Sequence, residues 1–184
     1  MASSHHSPSI ARPFGISLVE TLICASVLSI LAAIAMPSMS GLLERQRAIA
    51  AGNALLTQFA ATRMAAITHH SHAVLCPSTD GATCNASTDW SGGWLLFLDR
   101  DGNRRPDRAS DILQADNVPL SRHLQLRSTA GRHQVRYLPD GRNGGTNLTL
   151  SICNRKGELL SSVIINTAGR ARSARPQQPT ACPR

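Results

Sequence analysis

The sequence predicts an α+β protein in which one long N-terminal helix packs on antiparallel β-sheet. Three observations carry that prediction. Residues 16–36 form an apolar run whose single charge is Glu20, matching the roughly 20 residues a helix needs to cross a hydrocarbon core. Residues 42–67 then place Leu42, Ile49, Leu56, Phe59 and Ile67 among alanines, a near-helical period that continues the same helix in amphipathic form. Beyond His72, short β-rich runs alternate with Gly, Pro, Asn and Asp, the texture of an antiparallel sheet.

Taken in order, residues 1–15 precede the apolar run and residues 16–36 read as a transmembrane helix. Pro37 is expected to bend the helix near the membrane face. Residues 37–184 form a single globular domain, with about 140 residues available for a modest core. Strands are expected at Ala73–Cys76, Trp94–Leu98, Leu124–Arg127, Gln134–Leu138, Leu148–Cys153 and Ser162–Asn166. The apolar stripe of the helix should cover one sheet face. From Arg175 the chain is a polar, Pro-bearing tail.

A carboxylate inside a membrane-length helix costs about 2.5–3.5 kcal/mol on insertion scales unless it finds a partner, so Glu20 needs a functional reason. Arg12 and Ala33-Ile34-Ala35 would also suit a cleaved secretory signal. The length of the apolar run, Glu20 within it, and the helix pattern continuing past Pro37 favour a retained segment instead.

Gly15, Ile16 and Glu20, followed by Thr21-Leu22-Ile23 and Pro37, resemble the N-terminus of type IV pilins and pseudopilins. In that family a Gly precedes the cut and Glu is the fifth residue after it. The resemblance implies a type IV pilin-like fold, with 1–15 as a prepilin leader removed by a prepilin peptidase that methylates the new amine on Ile16. It implies that Glu20 meets the N-terminus of a neighbouring subunit, that other pilins are partners through this helix, and that the inner membrane holds the chain before assembly. Afterwards the protein would lie in an extracellular pilus or the periplasm. Cys76-Pro77-Ser78 through Cys84, Trp90, Gly93-Trp94 and Phe97-Leu98-Asp99-Arg100-Asp101-Gly102-Asn103 resemble the FimT/GspH branch. That branch includes both minor pilins and type II secretion pseudopilins.

Cys24 lies in the apolar run, whereas Cys76, Cys84, Cys153 and Cys182 fall in the part expected outside the cytoplasm, where thiols tend to pair. Four cysteines allow three connectivities. The short segment between Cys76 and Cys84 makes a tight loop, which leaves Cys153 to tie down the tail at Cys182.

Residues 131–184 hold nine basic against two acidic residues, a net +7 of the chain's +8. Such asymmetry points to a polyanion partner. Gly169-Arg170-Ala171-Arg172 follows a strand, with Gly169 free to take positive φ and the two arginines facing one way if the backbone is extended. The motif resembles one associated with DNA binding in FimT minor pilins of naturally competent bacteria, and Arg175 extends it. The implied partner is double-stranded DNA held through phosphates with little sequence preference, since the only aromatic residue of the last third is Tyr137. The alternative function is a structural minor pilin or type II secretion pseudopilin that primes fibre assembly without nucleic acid.

His69, His70 and His72 read as a solvated helix end rather than a metal site. Asp99, Asp101, Asn103 and Asp107 alternate like a calcium loop, but Arg104 and Ser110 replace the Gly and Glu that an EF-hand needs, so a strand-connecting turn is the better reading. No cofactor, metal site or enzymatic activity is expected, because no nucleophile motif or phosphate-cradling Gly loop occurs.

Overall fold

The computed structural model describes residues 17–116 and 122–183, without the side chains of 35–38 and 40. The chain divides into two units, Met1–Gly41 and Leu42–Arg184. Helix α1 covers Leu18–Thr68. Ser17 opens it, its hydroxyl accepting the Glu20 amide at 3.3 Å, so Ser17-Leu18-Val19-Glu20 has the spacing of an N-terminal capping box. At the other end Ser71 donates to the Ala66 carbonyl and His70 to that of Ile67. His70 takes the left-handed conformation, φ 47°, that more often belongs to Gly in this terminating pattern.

Leu18, Leu22, Val27, Leu31 and Ile34 are all exposed in the first unit. Among the described residues no helix is long and apolar enough to cross a membrane. The described side chains of that run stop at Ile34. The bend expected at Pro37 falls among residues outside the described side chains.

In the second unit the buried stripe of α1 runs through Ala48, Ala51, Leu55, Phe59, Thr62 and Ala66, at the spacing of one helix face. This corrects the stripe expected from the sequence. Leu42 is 52% exposed and Ile67 37%, while the small alanines lie inside because they let the helix approach the strands closely.

Among the described residues eight strands follow, β1 His72–Pro77, β2 Trp94–Asp99, β3 Ile112–Asp116, β4 Leu124–Ser128, β5 Val135–Tyr137, β6 Leu148–Asn154, β7 Leu159–Ile165 and β8 Ala171–Ala174. They form two four-stranded antiparallel sheets rather than one, ordered β3-β2-β1-β5 and β4-β6-β7-β8. The helix stripe joins one core with inward residues of both sheets, among them Ala73, Leu75, Trp94, Leu96, Leu126, Leu150, Ile152 and Val163, and with Trp90 of the segment between β1 and β2. β1 and β2 are buried on both faces, because Val74, Cys76, Leu95 and Phe97 form a second cluster with Cys84 and Ile112. Strands β4 and β7 instead alternate between core and solvent. β3 and β8 were not expected. Each is a short edge strand whose mixed, polar-rich sequence carries little β signal.

Candidate nucleic-acid interface

β7 and β8 are joined by a tight turn at Thr167, Ala168 and Gly169. Gly169 donates to the Asn166 carbonyl at 3.0 Å, Asn166 to the Arg170 carbonyl at 3.2 Å, and Arg170 to the Asn166 side-chain oxygen at 2.9 Å. This is a three-residue hairpin loop whose last position is left-handed, and Gly169 sits there with φ 77°. Its place has a second requirement. A Cβ on Gly169 would overlap the Gly141 carbonyl oxygen and stand 3.1 Å from Tyr137 Cε1, so the hairpin rests directly on the loop after β5.

Ala171 packs against the core and Arg172 lies opposite Ile164 in the ladder. Strand alternation turns Arg172 to the outer face of the sheet, and both Arg170 and Arg172 are exposed. Neither makes an ion pair among the described residues. Arg172, on edge strand β8, stands where a charged side chain also discourages edge-to-edge pairing.

The supporting loop is itself basic and anchored. Arg142 Nε donates to Asp140 at 2.6 Å and the Arg142 amide to the same carboxylate at 2.9 Å. These bonds hold the Asp140 carboxyl below its usual range, the backbone bond contributing most. Asn143 donates to the Thr167 carbonyl at 3.1 Å, and Thr167 to Asn147 Oδ1 at 3.2 Å. Tyr137 donates to the Gly169 carbonyl at 3.4 Å, and burial pushes its phenol up to about 12 against a smaller opposing effect of Arg63.

Arg63 was not singled out in the sequence. It lies on α1 between Phe59 and Ala66, and with Arg170, Tyr137, Leu56 and Ala60 it lines a depression of about 380 Å³. A basic residue between two core positions of an amphipathic helix was the signal available. Arg175 goes elsewhere, lining a separate depression with Arg45 and Glu158. The Arg170–Arg172 pair and Arg175 are therefore not gathered at one depression.

The tail is tied to the domain. Cys76 is bonded to Cys84 and Cys153 to Cys182, the connectivity read from the spacing, while Cys24 is free and exposed. Leu159 donates to the Thr180 carbonyl at 2.9 Å and Cys182 to that of Gly157 at 2.8 Å, so the tail adds a short stretch beside β7. Glu20 is exposed in the first turn of α1. Gly15 and Ile16 lie outside the described residues.

The loop of Asp99 to Asp107 is a self-bonded turn. Asp101 accepts the Asn103 amide, and the Asn103 side-chain amide donates to Asp101 and Asp107, each at 2.8 Å. Asp99 is fully buried and accepts the Arg104 amide at 3.0 Å.

The family profile described as Type II transport protein GspH matches residues 51–169. The Pilin-like protein PilA1 of Thermus thermophilus is 28% identical over 162 residues, covering 86% of this chain and 96% of that protein. Among solved structures, the type IV minor pilin FimU of Pseudomonas aeruginosa superposes with a TM-score of 0.58 at 16% identity, covering 77% of this chain and 98% of that one. The minor pseudopilin EpsH of the Vibrio cholerae type 2 secretion system gives a TM-score of 0.51 at 17% identity, covering 72% and 99%. The fold is thus that of minor pilins and pseudopilins, and with more than half of its length matched by the family profile, this chain is a member of the GspH family of type IV pilin-like proteins.

Proposed function

We propose that this GspH-family minor pilin binds extracellular double-stranded DNA for uptake through its β7–β8 hairpin. The observation that carries the reading is Arg170 and Arg172, exposed and without an ion pair among the described residues, on a hairpin whose geometry Gly169 sets, within the third of the chain that holds nearly all the excess charge. Two guanidinium forks two residues apart suit phosphates. Binding is by phosphate contact and counterion release, with little sequence preference.

A prepilin peptidase cuts between Gly15 and Ile16, residues 16–36 hold the chain in the inner membrane, and Glu20 meets the new amine of a neighbouring pilin as the subunit enters a fibre. The protein then acts in an extracellular pilus or in the periplasm.

The test is binding of the full-length protein, in nonionic detergent, to a short duplex across a salt series, beside Arg170→Ala/Arg172→Ala. Salt-sensitive binding is expected, with the double variant weaker and its log–log salt slope shallower by roughly two. No binding at low salt would overturn the proposal.

The match to a type II transport family favours a second reading, a structural pseudopilin that primes fibre assembly. It expects Glu20→Ala to abolish assembly or secretion while the arginine double variant leaves both unchanged.

A further inference from the structure

Away from the β7–β8 hairpin, the turn after β2 and the loop before β5 enclose a depression of about 610 Å³ lined by Arg104, Arg105, Arg132, His133 and Gln134. A smaller one adjoins it, sharing Arg104, Arg132 and Gln134 and adding Arg136. No carboxylate is among the described residues lining either. The acids of the adjoining turns accept hydrogen bonds within their own loops. Asp101 and Asp107 hold Asn103, and Asp80, in the loop closed by Cys76 and Cys84, accepts from Ala82, Thr83 and Ser78.

This concentration of cations is built rather than incidental. Asp99, buried at the end of β2, takes the Arg104 amide and stands 3.9 Å from an Arg136 terminal nitrogen. Through the first contact it holds Arg104 at φ 64°, a left-handed backbone that costs a non-glycine residue about 1 kcal/mol or more and that clusters at functional sites. Through the second it partly neutralises one guanidinium. Arg104, Arg105 and Arg132 make no ion pair among the described residues. Arg132 is positioned by a bond to the Thr146 hydroxyl, and the Arg136 Nε is buried without a hydrogen-bond partner.

We infer that this cleft is a second anion site, taking a phosphodiester of the same DNA strand that the hairpin binds. The inference rests on the DNA-binding reading for its ligand. What joins the two sites is one loop. Asn143, Gly144, Gly145 and Thr146 wall the smaller depression, and the same loop bonds the hairpin through Asn143 and Asn147. The loop, residues 143–147, spans at most roughly 17 Å when extended. That is about five successive phosphates of one strand at roughly 3.4 Å axial rise. The cleft therefore lengthens the phosphate track and separates this chain's contact surface from the Gly-Arg-Ala-Arg motif alone.

Arg104→Gln/Arg132→Gln tests it in full-length protein in nonionic detergent, with Arg104→Gln alone as the variant that leaves the Thr146 contact in place. Duplex affinity should fall and the log–log salt slope should lose roughly two for the pair and one for the single change. A wild-type slope and affinity in both variants would overturn the inference even where Arg170→Ala/Arg172→Ala weakens binding. Inorganic tripolyphosphate provides a readout independent of DNA. It should raise the melting temperature of wild type and of Arg170→Ala/Arg172→Ala, and not that of the cleft variants. That pattern without duplex binding would keep the anion cleft and refute the DNA reading. Protection by poly-glutamate equal to that by tripolyphosphate would reassign the cleft to carboxylates, such as an acidic loop of a neighbouring subunit, and overturn the phosphodiester assignment.

Discussion

Gly169 and Gly141 touch backbone to backbone, the carbonyl of Gly141 filling the space that any side chain on Gly169 would need. Because Gly169 is also left-handed, with φ 77°, two independent constraints converge on one residue, and through it the hairpin that carries Arg170 and Arg172 is set against the loop that carries Arg142.

Gly169→Ala should accordingly destabilise the domain by roughly 3 kcal/mol, combining left-handed strain with overpacking against an immovable backbone. Gly157→Ala, also left-handed but with nothing within 4 Å, should cost only about 1 kcal/mol. Urea unfolding of the two variants compares strain alone with strain plus contact.

Tyr137 is the only tyrosine, so its ionisation can be followed directly by phenolate absorbance. It should titrate near about 12 in the native protein and near about 10 in urea. Burial favours the neutral phenol, so the unfolded chain releases its proton first. Stability should be unaffected by this group below about pH 10 and fall as pH rises from there towards about 12. A native titration at the ordinary value would mean that Tyr137 is not buried against Gly169.

Asp80 accepts hydrogen bonds from Ser78, Ala82 and Thr83, the side-chain bond from Thr83 and then its backbone bond doing most to hold the carboxyl well below its ordinary range. The folded value is depressed, so its contribution to stability is complete above the unfolded value of about 3.9 and lost as pH falls below it. The stability difference between wild type and Asp80→Ala should be constant near neutrality and narrow in acid, measured by denaturant unfolding at each pH.

The two disulfides close loops of different size, with sequence separations of 8 and 29. On a chain-entropy basis, removing Cys153–Cys182 by paired serine substitutions should cost roughly 3.5 kcal/mol and removing Cys76–Cys84 roughly 2.5. Only the former should expose the segment after Arg175 to limited proteolysis.

The helix stripe can be tested by truncation. Phe59→Ala should cost about 3–5 kcal/mol, since the side chain is fully buried and a cavity would remain. Leu42→Ala should change the stability of the domain by no more than about 0.5 kcal/mol. Comparable losses at both positions would restore the stripe first expected from the sequence.

Among the described residues, six of the eight strands were legible as short runs rich in apolar residues between turn formers, and the cysteine pairing was legible because one loop is too short to be shared. The long helix was legible for the same local reason, a sustained apolar period. Its buried face was not. Alanines at 48, 51 and 66 enter the core because strands approach there, whereas hydrophobicity alone ranks Leu42 and Ile67 above them.

The chemical inventory of this protein was present in the linear chain: a helical start, β-rich segments, four pairable thiols, and basic charge gathered late in the sequence. Those features depend on residue type and near neighbours, which is the range over which propensity and spacing act. The tertiary structure decided which cations stand together. It set Arg63 beside Arg170, sent Arg175 to another depression, and drew Arg104 of one loop to Arg132 of another and to Arg136 of β5, which stands beside buried Asp99. Such proximities arise from sheet pairing and loop packing between residues far apart in sequence, where local pattern carries no information.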